Sequence, residues 1–308
     1  MTETVRITAE KIRRLEVQGA RNVAIAAIKA IQTLAEQTKA KNKTALLNEL
    51  KEAQAVLFAS RETEPLMRNA IRRIITQTDD SSIEKGDALR QMVVSNVDEF
   101  LKNLEASRER VAEIGAKRIR DGAVVFTHCH SSTVTRLLAL AKKEGKNFQV
   151  ICTETRPAFQ GRITAREMVE LSVETTFIVD SAARSFMGNV DLVLVGADAI
   201  TSEGNVVNKI GTSSIAVLAN EARKPFYVVS ELLKFDPETL FGENEKIEQR
   251  NPAEVWKEAP EKLIVKNPAF DVTPSRYING FICEEGVIAP QSIVEAVHRR
   301  YPWVLKRT

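Results

Sequence analysis

The sequence is poor in cysteine, histidine and long apolar runs, and each shortage excludes a class of protein. Its 308 residues include three cysteines, which lie far apart, and three histidines. Secreted disulfide frameworks need an even set of closely placed cysteines, so this odd number indicates a reducing compartment. No pair of cysteines has the spacing of metal ligands, and the histidines form no cluster. We therefore expect no metal site.

Charge and hydropathy exclude two further classes. The net charge is +3 at pH 7, which is too small to indicate a nucleic-acid partner, and basic pairs such as Arg13-Arg14 are typical of solvated helix faces. No apolar run approaches the ~20 residues that span a bilayer. The first residues also lack the apolar core of a signal peptide. We expect a cytoplasmic protein that binds neither membrane nor nucleic acid.

The hydrophobic pattern changes near residue 120. Over residues 8–118, apolar residues recur at helical spacing. Beyond that point, short apolar runs alternate with helical stretches; the runs lie at residues 123–126, 148–152, 176–179, 192–195 and 226–229. Such alternation is typical of a parallel sheet covered on both faces. The sequence therefore predicts an α/β protein, with a helical domain over residues 1–120 and a Rossmann-like parallel sheet with helices on both faces over residues 121–308.

Two of the predicted strands end next to a side chain that can carry a proton. Cys129 follows one strand and precedes Ser131-Ser132-Thr133, which can cap a helix and offer its amides to phosphate. Asp198 follows another strand. Because ligands bind beyond the carboxyl ends of parallel strands, the two indicate an acid/base pair. The helix dipole should favour a Cys129 thiolate, and apolar neighbours should keep Asp198 protonated. A buried structural cysteine and a capping aspartate are the alternatives.

Other segments add groups that can bind phosphate. Arg156 and Arg162 follow a strand end, and two arginines so close in sequence can grip a phosphate. Residues 208–212, Asn-Lys-Ile-Gly-Thr, are typical of a strand-to-helix phosphate turn, although they lack the glycines of a P-loop. Gly19 interrupts a helical pattern, which costs about 1 kcal/mol relative to alanine and suits close approach of a ligand. The alternatives are surface ion pairs for the two arginines and a plain helix break for Gly19.

Residues 267–274 are expected to form an ordered loop.

The strand-end motifs together resemble one superfamily. The motifs, in chain order, are Thr127-His128-Cys129-His130-Ser131, Thr153-Glu154-Thr155-Arg156-Pro157, Gly196-Ala197-Asp198, Asn208-Lys209-Ile210-Gly211-Thr212 and the segment from Asn267 to Pro274. They resemble the superfamily that joins the regulatory subunits of eukaryotic initiation factor 2B with sugar-phosphate isomerases. Within that superfamily, the chain resembles the archaeal ribose 1,5-bisphosphate isomerases. The regulatory subunits typically lack the cysteine and replace the aspartate, so the presence of Cys129 and Asp198 favours an enzyme.

The resemblance implies a reaction, ligands and partners. The reaction is the aldose-ketose isomerisation of ribose 1,5-bisphosphate to ribulose 1,5-bisphosphate, with Cys129 as proton acceptor and Asp198 as proton donor and no cofactor. The implied substrate contacts are Gly19, Ala20, Arg21, Arg61, Ser131, Ser132, Thr133, Asn208, Lys209 and Lys234. The resemblance also implies a homo-oligomer, with a hexamer as the candidate size, and AMP as a candidate activator.

Two alternatives to this reaction stay open. One is a non-catalytic regulatory subunit, similar to those of initiation factor 2B, that binds a nucleotide or sugar phosphate without turnover. The other is a methylthioribose 1-phosphate isomerase, whose substrate has one phosphate and an apolar thioether. The segment after Arg61 departs from the best-known isomerases, in which a proline follows the arginine. The motifs therefore support the type of reaction more strongly than they support the identity of the substrate.

Overall fold

The structure is a computed structural model that describes residues 3–61 and 63–305. The chain divides into two compact units. One is formed by Met1–Ala106 and Tyr301–Thr308, and the other by Ser107–Arg300. The domain boundary that the sequence predicts at residue 120 stays a prediction. No helix in the described part of the chain combines the length and the apolar character that crossing a membrane requires.

In the part of the chain that the structure describes, five helices precede the first strand, as the helical spacing over residues 8–118 predicts. They are α1 (Glu3–Arg13), α2 (Ala20–Gln37), α3 (Lys43–Phe58), α4 (Pro65–Asp79) and α5 (Gly86–Ala116). Each apolar stripe becomes a buried face: Ile28, Ile31 and Leu34 of α2 are fully buried. Pro65 begins α4, where its missing N–H is not needed. Gly19 is the N-cap of α2 with φ 82°, so it marks a helix start.

The second unit contains every strand that the described residues form. In chain order its remaining elements are β1 (Ala123–Thr127), α6 (Ser132–Lys143), β2 (Phe148–Thr153), α7 (Gly161–Glu170), β3 (Glu174–Ile178), α8 (Ala183–Met187), β4 (Leu192–Val195), β5 (Ala199–Ile200), β6 (Val206–Lys209), α9 (Thr212–Glu221), β7 (Phe226–Val229), β8 (Phe270–Thr273), β9 (Gly280–Cys283), β10 (Gly286–Ile288) and α10 (Ile293–Arg300). Seven strands form one sheet in the order β10-β9-β7-β4-β1-β2-β3. All neighbours are parallel except β10 and β9. Strands β5, β6 and β8 form a second, antiparallel sheet.

Both faces of the seven-stranded sheet are covered. On one face, Val125 of β1 packs in a cluster with Leu137 of α6 and Met168 of α7. Successive strand residues alternate between faces, so Phe126 lies on the other side, and it is also fully buried. Burying a side chain of this size stabilises the fold by ~1.5–3 kcal/mol. The predicted class, a parallel sheet with helices on both faces, is confirmed.

The described residues form ten strands, and the sequence predicts five of them. The predicted runs correspond to β1, β2, β3, β4 and β7, with ends that differ by two residues or fewer. The ordered loop expected over residues 267–274 is wrong at its centre, because Phe270–Thr273 forms β8 and pairs with β6. Two prolines, Pro268 and Pro274, flank this short strand. Two prolines this close together favour a loop when only the local sequence is considered.

The order of the sheet reverses between β1 and β4. From β1 the chain adds β2 and β3 on one side, and it then returns to place β4 on the other side of β1. In open parallel sheets, ligands bind beyond the carboxyl ends of the strands at such a point. Cys129 follows β1 and Asp198 follows β4. The topology therefore places the predicted acid/base pair on either side of the reversal.

Candidate active site

Cys129 has a backbone conformation that residues with a side chain seldom adopt. Its φ is 65°, in the left-handed region. Its N–H donates to Thr155 Oγ1 at 2.9 Å, and its carbonyl oxygen accepts from Thr164 Oγ1 at 2.9 Å. Such strain persists only where the surroundings fix it, and it is found mostly at functional sites. Two buried threonines of the β2–α7 region therefore hold the residue after β1 in place.

The Cys129 thiol is neutral in the resting protein. The residue as a whole is half-buried, but protein surrounds its sulfur, and this burial raises the pKa of the Cys129 thiol to about 11. The ammonium of Lys209 and the backbone N–H of His130 lower this pKa, and the Asp198 and Asp180 carboxylates raise it. The predicted resting thiolate is therefore wrong. The loss of hydration is the largest cause of the raised pKa.

Asp198 is half-buried between the ends of β4 and β5. Its N–H donates to Val207 O at 2.9 Å, which fixes its backbone. Its neighbours Ala197 and Ala199 are buried. Among the residues that the structure describes, the Asp198 carboxylate has no hydrogen-bond or ion-pair partner. It does act electrostatically on the Cys129 thiol, so the two groups lie within reach of each other's charge. The protonated state expected for Asp198 stays a prediction.

The turn from β6 to α9 supplies a cation to the same place. The Lys209 ammonium lies 5.0 Å from the centre of the Phe270 ring and makes no ion pair with any described residue. Its charge acts on the Cys129 thiol and on the His128 ring. Asn208 has a different task, because its Nδ2 donates to Thr212 Oγ1 at 3.0 Å and so closes the turn. The predicted substrate contacts of Asn208 and Lys209 stay predictions.

Asp271 of β8 is a residue that the sequence did not predict for this site. Its carboxylate accepts from Gly211 N at 2.7 Å and from Ser213 N at 3.1 Å, at the start of α9. Burial raises the pKa of Asp271 to about 6, although these N–H groups lower it. Residues 208–212 are expected to bind phosphate through backbone N–H groups. At the start of α9, the Asp271 carboxylate already accepts from two such groups. The pairing of β8 with β6 brings Asp271 there.

The start of α6 lies against the end of β4. Ser131 is the N-cap of α6, and its Oγ accepts from Val134 N at 3.4 Å. A Cβ at Gly196 would lie 2.7 Å from Ser131 Oγ, so only glycine allows this approach. Thr133 is buried, and the Ser132 carbonyl oxygen accepts from an arginine of α5 at 3.3 Å. The phosphate contacts predicted for Ser131, Ser132 and Thr133 stay predictions.

Lys234 supports the Asp198 turn. Its buried Nζ donates to the carbonyl oxygen of Ala197 at 2.7 Å, one residue before Asp198. The Glu231 carboxylate lies 3.9 Å from the same Nζ. The sequence resemblance implies that Lys234 contacts substrate, and that role stays a prediction. In the structure the Lys234 side chain fixes the backbone that carries the proposed acid.

Four of the predicted substrate contacts belong to the helical unit: Gly19, Ala20, Arg21 and Arg61. Arg21 forms an ion pair with Glu105 and donates to Leu104 O at 3.2 Å. Arg61 is buried with its Nε 3.1 Å from Glu64 Oε1. Ala20 is buried and Gly19 is exposed. The substrate contacts expected of these four residues stay predictions.

The two arginines after β2 lie on a shared ring. The guanidinium carbons of Arg156 and Arg162 lie 5.3 and 4.0 Å from the centre of the Phe159 ring. Arg156 also donates to Val255 O at 3.1 Å. Stacking of this kind holds a guanidinium group in place and leaves its charge intact.

Cys129 is expected to react slowly with iodoacetamide at neutral pH. Its pKa of about 11, against an ordinary 9.0, lowers the thiolate fraction at pH 8 about 100-fold, because the thiolate is the reactive form. Mass spectrometry of the Cys129 peptide would give the rate, which should rise about tenfold per pH unit from pH 7 to 10. Lys209→Gln should slow alkylation further, and Lys224→Gln is the control. A rate that is already constant at pH 7 would contradict the neutral thiol.

The chain is similar to proteins of one family along nearly its whole length. The Initiation factor 2 subunit family matches residues 16–290. The ribose 1,5-bisphosphate isomerase of Pyrococcus furiosus is 41% identical over 308 residues, which cover 97% of this chain and 94% of that protein. The resemblance that the strand-end motifs indicate is therefore confirmed.

Two solved structures have the same fold. The translation initiation factor eIF-2B of Pyrococcus horikoshii OT3 matches with a TM-score of 0.82 and 31% identity, over 94% of this chain and 98% of that one. The 5-methylthioribose 1-phosphate isomerase of the same organism matches with a TM-score of 0.79 and 29% identity, over 96% and 87%. On this match in sequence and fold, the chain belongs to the Initiation factor 2 subunit family.

Proposed function

We propose that the protein is a sugar-phosphate isomerase that converts ribose 1,5-bisphosphate to ribulose 1,5-bisphosphate. The observation that carries the proposal is the placement of Cys129 and Asp198 after β1 and β4, on either side of the point where the sheet order reverses. The similarity to the P. furiosus ribose 1,5-bisphosphate isomerase, over nearly the whole of both chains, supports the choice of substrate.

The reaction needs both an acid and a base, because phosphate blocks the anomeric oxygen. Asp198 protonates the ring oxygen as its bond to C1 breaks, while the Cys129 sulfur takes the proton from C2. The resulting enol has a C1–C2 double bond. Asp198 then takes the proton of the C2 hydroxyl, and Cys129 returns its proton to C1, which leaves the ketose and both groups as they began. A positioned acid or base typically contributes 10²–10⁴-fold.

The base in this mechanism must be a thiolate, but burial raises the pKa of Cys129 to about 11. The Lys209 ammonium acts on the thiol and lowers this pKa, so it favours the thiolate. Lys209 is therefore the residue that supports the base in this mechanism.

Binding of the bisphosphate needs cations, and Lys209 is the first candidate. Its ammonium is half-buried, stacks on Phe270 and has no ion-pair partner among the described residues. Arg21 and Arg61 of the helical unit and Lys234 are further candidates that the family resemblance supports. The same resemblance supports a homo-oligomer and activation by AMP.

Purified protein is expected to turn ribose 1,5-bisphosphate into ribulose 1,5-bisphosphate. The conversion would be followed by ¹³C NMR of substrate labelled at C1 and C2, with and without AMP. 5-Methylthioribose 1-phosphate lacks one phosphate, and a charge-assisted hydrogen bond is worth ~1.5–3 kcal/mol. Its kcat/KM should therefore be roughly 10–100-fold lower. Turnover of the thioether substrate alone would select the methylthioribose reaction instead.

A non-catalytic regulatory subunit is the second candidate, and the similarity to translation initiation factor eIF-2B favours it. Such a subunit would bind sugar phosphate without turnover and would retain initiation factor 2 in a pull-down. Cys129 and Asp198 argue against it, because a binding protein has no need of a thiol and a carboxylate at the two strand ends. Binding of initiation factor 2 together with zero turnover would decide for this candidate.

A further inference from the structure

A chain of hydrogen bonds connects the Cys129 backbone to the turn after β6. The Cys129 N–H donates to Thr155 Oγ1 at 2.9 Å, and Thr155 Oγ1 lies 3.4 Å from Thr153 Oγ1. Thr153 Oγ1 lies 2.6 Å from His128 Nδ1. At the far end, His128 Nε2 lies 2.8 Å from the carbonyl oxygen of Ile210. The chain thus joins the ends of β1 and β2 to the turn that carries Lys209.

One assignment of protons satisfies the whole chain. A carbonyl oxygen only accepts, so His128 Nε2 carries the proton and donates to Ile210. Burial lowers the pKa of His128 and favours the neutral ring, so Nδ1 accepts from the Thr153 hydroxyl. Thr155 Oγ1 accepts from the Cys129 N–H, and its own proton has two acceptors at nearly equal distance, Thr153 Oγ1 at 3.4 Å and the Thr153 carbonyl oxygen at 3.5 Å. With Thr153 Oγ1 as the acceptor, every bond points the same way, and such bonds strengthen one another.

Burial keeps water away from the two middle links, between Thr155 and Thr153 and between Thr153 and His128. Thr153 and Thr155 are 0% exposed, and His128 is 2% exposed. The His128 ring also fits closely against the turn, because a Cβ at Gly211 would lie 3.1 Å from its Nε2. Gly211 has φ 101°, a conformation that glycine adopts readily. A broken link would therefore leave a buried polar group without a partner, which costs far more than the bond itself contributes.

We propose that Thr155, Thr153 and His128 are positioning residues that hold Cys129 in its left-handed conformation against the turn of Lys209. The proposal rests on the proposed function, since it assigns these residues to the proposed base. It also gives His128 a role that its place beside Cys129 does not suggest. Both ring nitrogens are engaged, so His128 is a buried connector and takes no proton from the thiol.

The donor-to-acceptor direction of this chain of hydrogen bonds can be tested by NMR of His128 in the intact protein. At pH 7, ¹⁵N-detected histidine spectra should show a neutral ring with the proton on Nε2. A His128→Gln variant assigns the signal. A charged ring, or a proton on Nδ1, would overturn the directed chain. This measurement does not depend on what the protein catalyses.

Thr153→Val tests the positioning role, because valine has the same shape but neither donates nor accepts. Misplacement near the chemistry is expected to lower kcat by roughly 10–100-fold with KM changed less than threefold. Cys129 alkylation should slow by roughly threefold or more, as the thiol moves from the Lys209 charge. Thr153→Ser keeps the hydroxyl and should restore both. Thr175→Val, which removes a hydroxyl of β3 that donates to Val173 O, is the matched control.

The outcomes separate this proposal from the proposed function. If the wild type has no isomerase activity, but Thr153→Val slows Cys129 alkylation and Thr153→Ser restores its rate, the positioning role is supported and the proposed function is contradicted. If the wild type is active and Thr153→Val matches it in kcat and alkylation, the positioning role is overturned. Should Thr153→Val fail to fold, Thr155→Val removes the acceptor of the Cys129 N–H and the bond to Thr153, and its kcat and alkylation rate are interpreted in the same way.

Discussion

Replacing Cys129 with serine is expected to lower kcat for ribose 1,5-bisphosphate by roughly 10³-fold, within the usual range for a general base. A serine hydroxyl is a far weaker acid than a thiol, so it cannot supply an anion to take the C2 proton. The fold should survive, because the bonds to Thr155 and Thr164 are made by the backbone of residue 129. Steady-state kinetics and thermal unfolding would be measured together.

Cys283→Ser is the matched control for this substitution. Cys283 ends β9 of the same sheet, and its sulfur donates to Gly286 O at 3.4 Å, a bond that serine can also make. This variant should keep its kcat within about threefold and should leave Cys129 alkylation unchanged. A Cys129→Ser enzyme that retained more than a tenth of the wild-type kcat would remove Cys129 as the base. If the Cys129→Ser enzyme still exchanged the C2 proton with solvent, that result would also contradict Cys129 as the base.

The sequence predicts where the pair lies because that depends on local pattern. Two continuous apolar runs, at residues 124–126 and 192–195, each stop abruptly before residues of a different kind. Each run indicates a buried strand, and the change in residue type indicates where the strand ends. The rule that ligands bind beyond such ends then brings Cys129 and Asp198 to one edge of the sheet. Neither step needs knowledge of distant contacts.

The protonation state and the supporting residues depend on contacts between segments far apart in sequence. Residues near the Cys129 thiol, including Lys209, come from other elements, and the burial that they create raises its pKa. Asp271 reaches the start of α9 through β8, about 60 residues further along the chain. The left-handed backbone of Cys129 and Thr155 has no local signature, because glycine occupies neither position. No pattern of spacing predicts these features.

Asp198→Asn is expected to lower kcat by roughly 10²–10⁴-fold, because an amide cannot protonate the ring oxygen. The same change should make Cys129 more reactive. The Asp198 carboxylate raises the pKa of the thiol, so its removal lowers that pKa and increases the thiolate fraction at pH 8. Alkylation of Cys129 should therefore become severalfold faster while turnover nearly stops. A loss of structure would not produce this pair of opposite changes with normal thermal unfolding.

Asp191→Asn is the control for the Asp198 variant, because the Asp191 carboxylate accepts from Val124 N at the amino ends of the strands. Asparagine keeps that acceptor, so kcat and alkylation should stay near wild type. Combining Cys129→Ser with Asp198→Asn should lower kcat little further than the worse single change, since residues that act as a unit are not additive. Two independent losses that multiply would mean that the thiol and the carboxylate serve separate steps. Unchanged alkylation in Asp198→Asn would mean that they do not share a site.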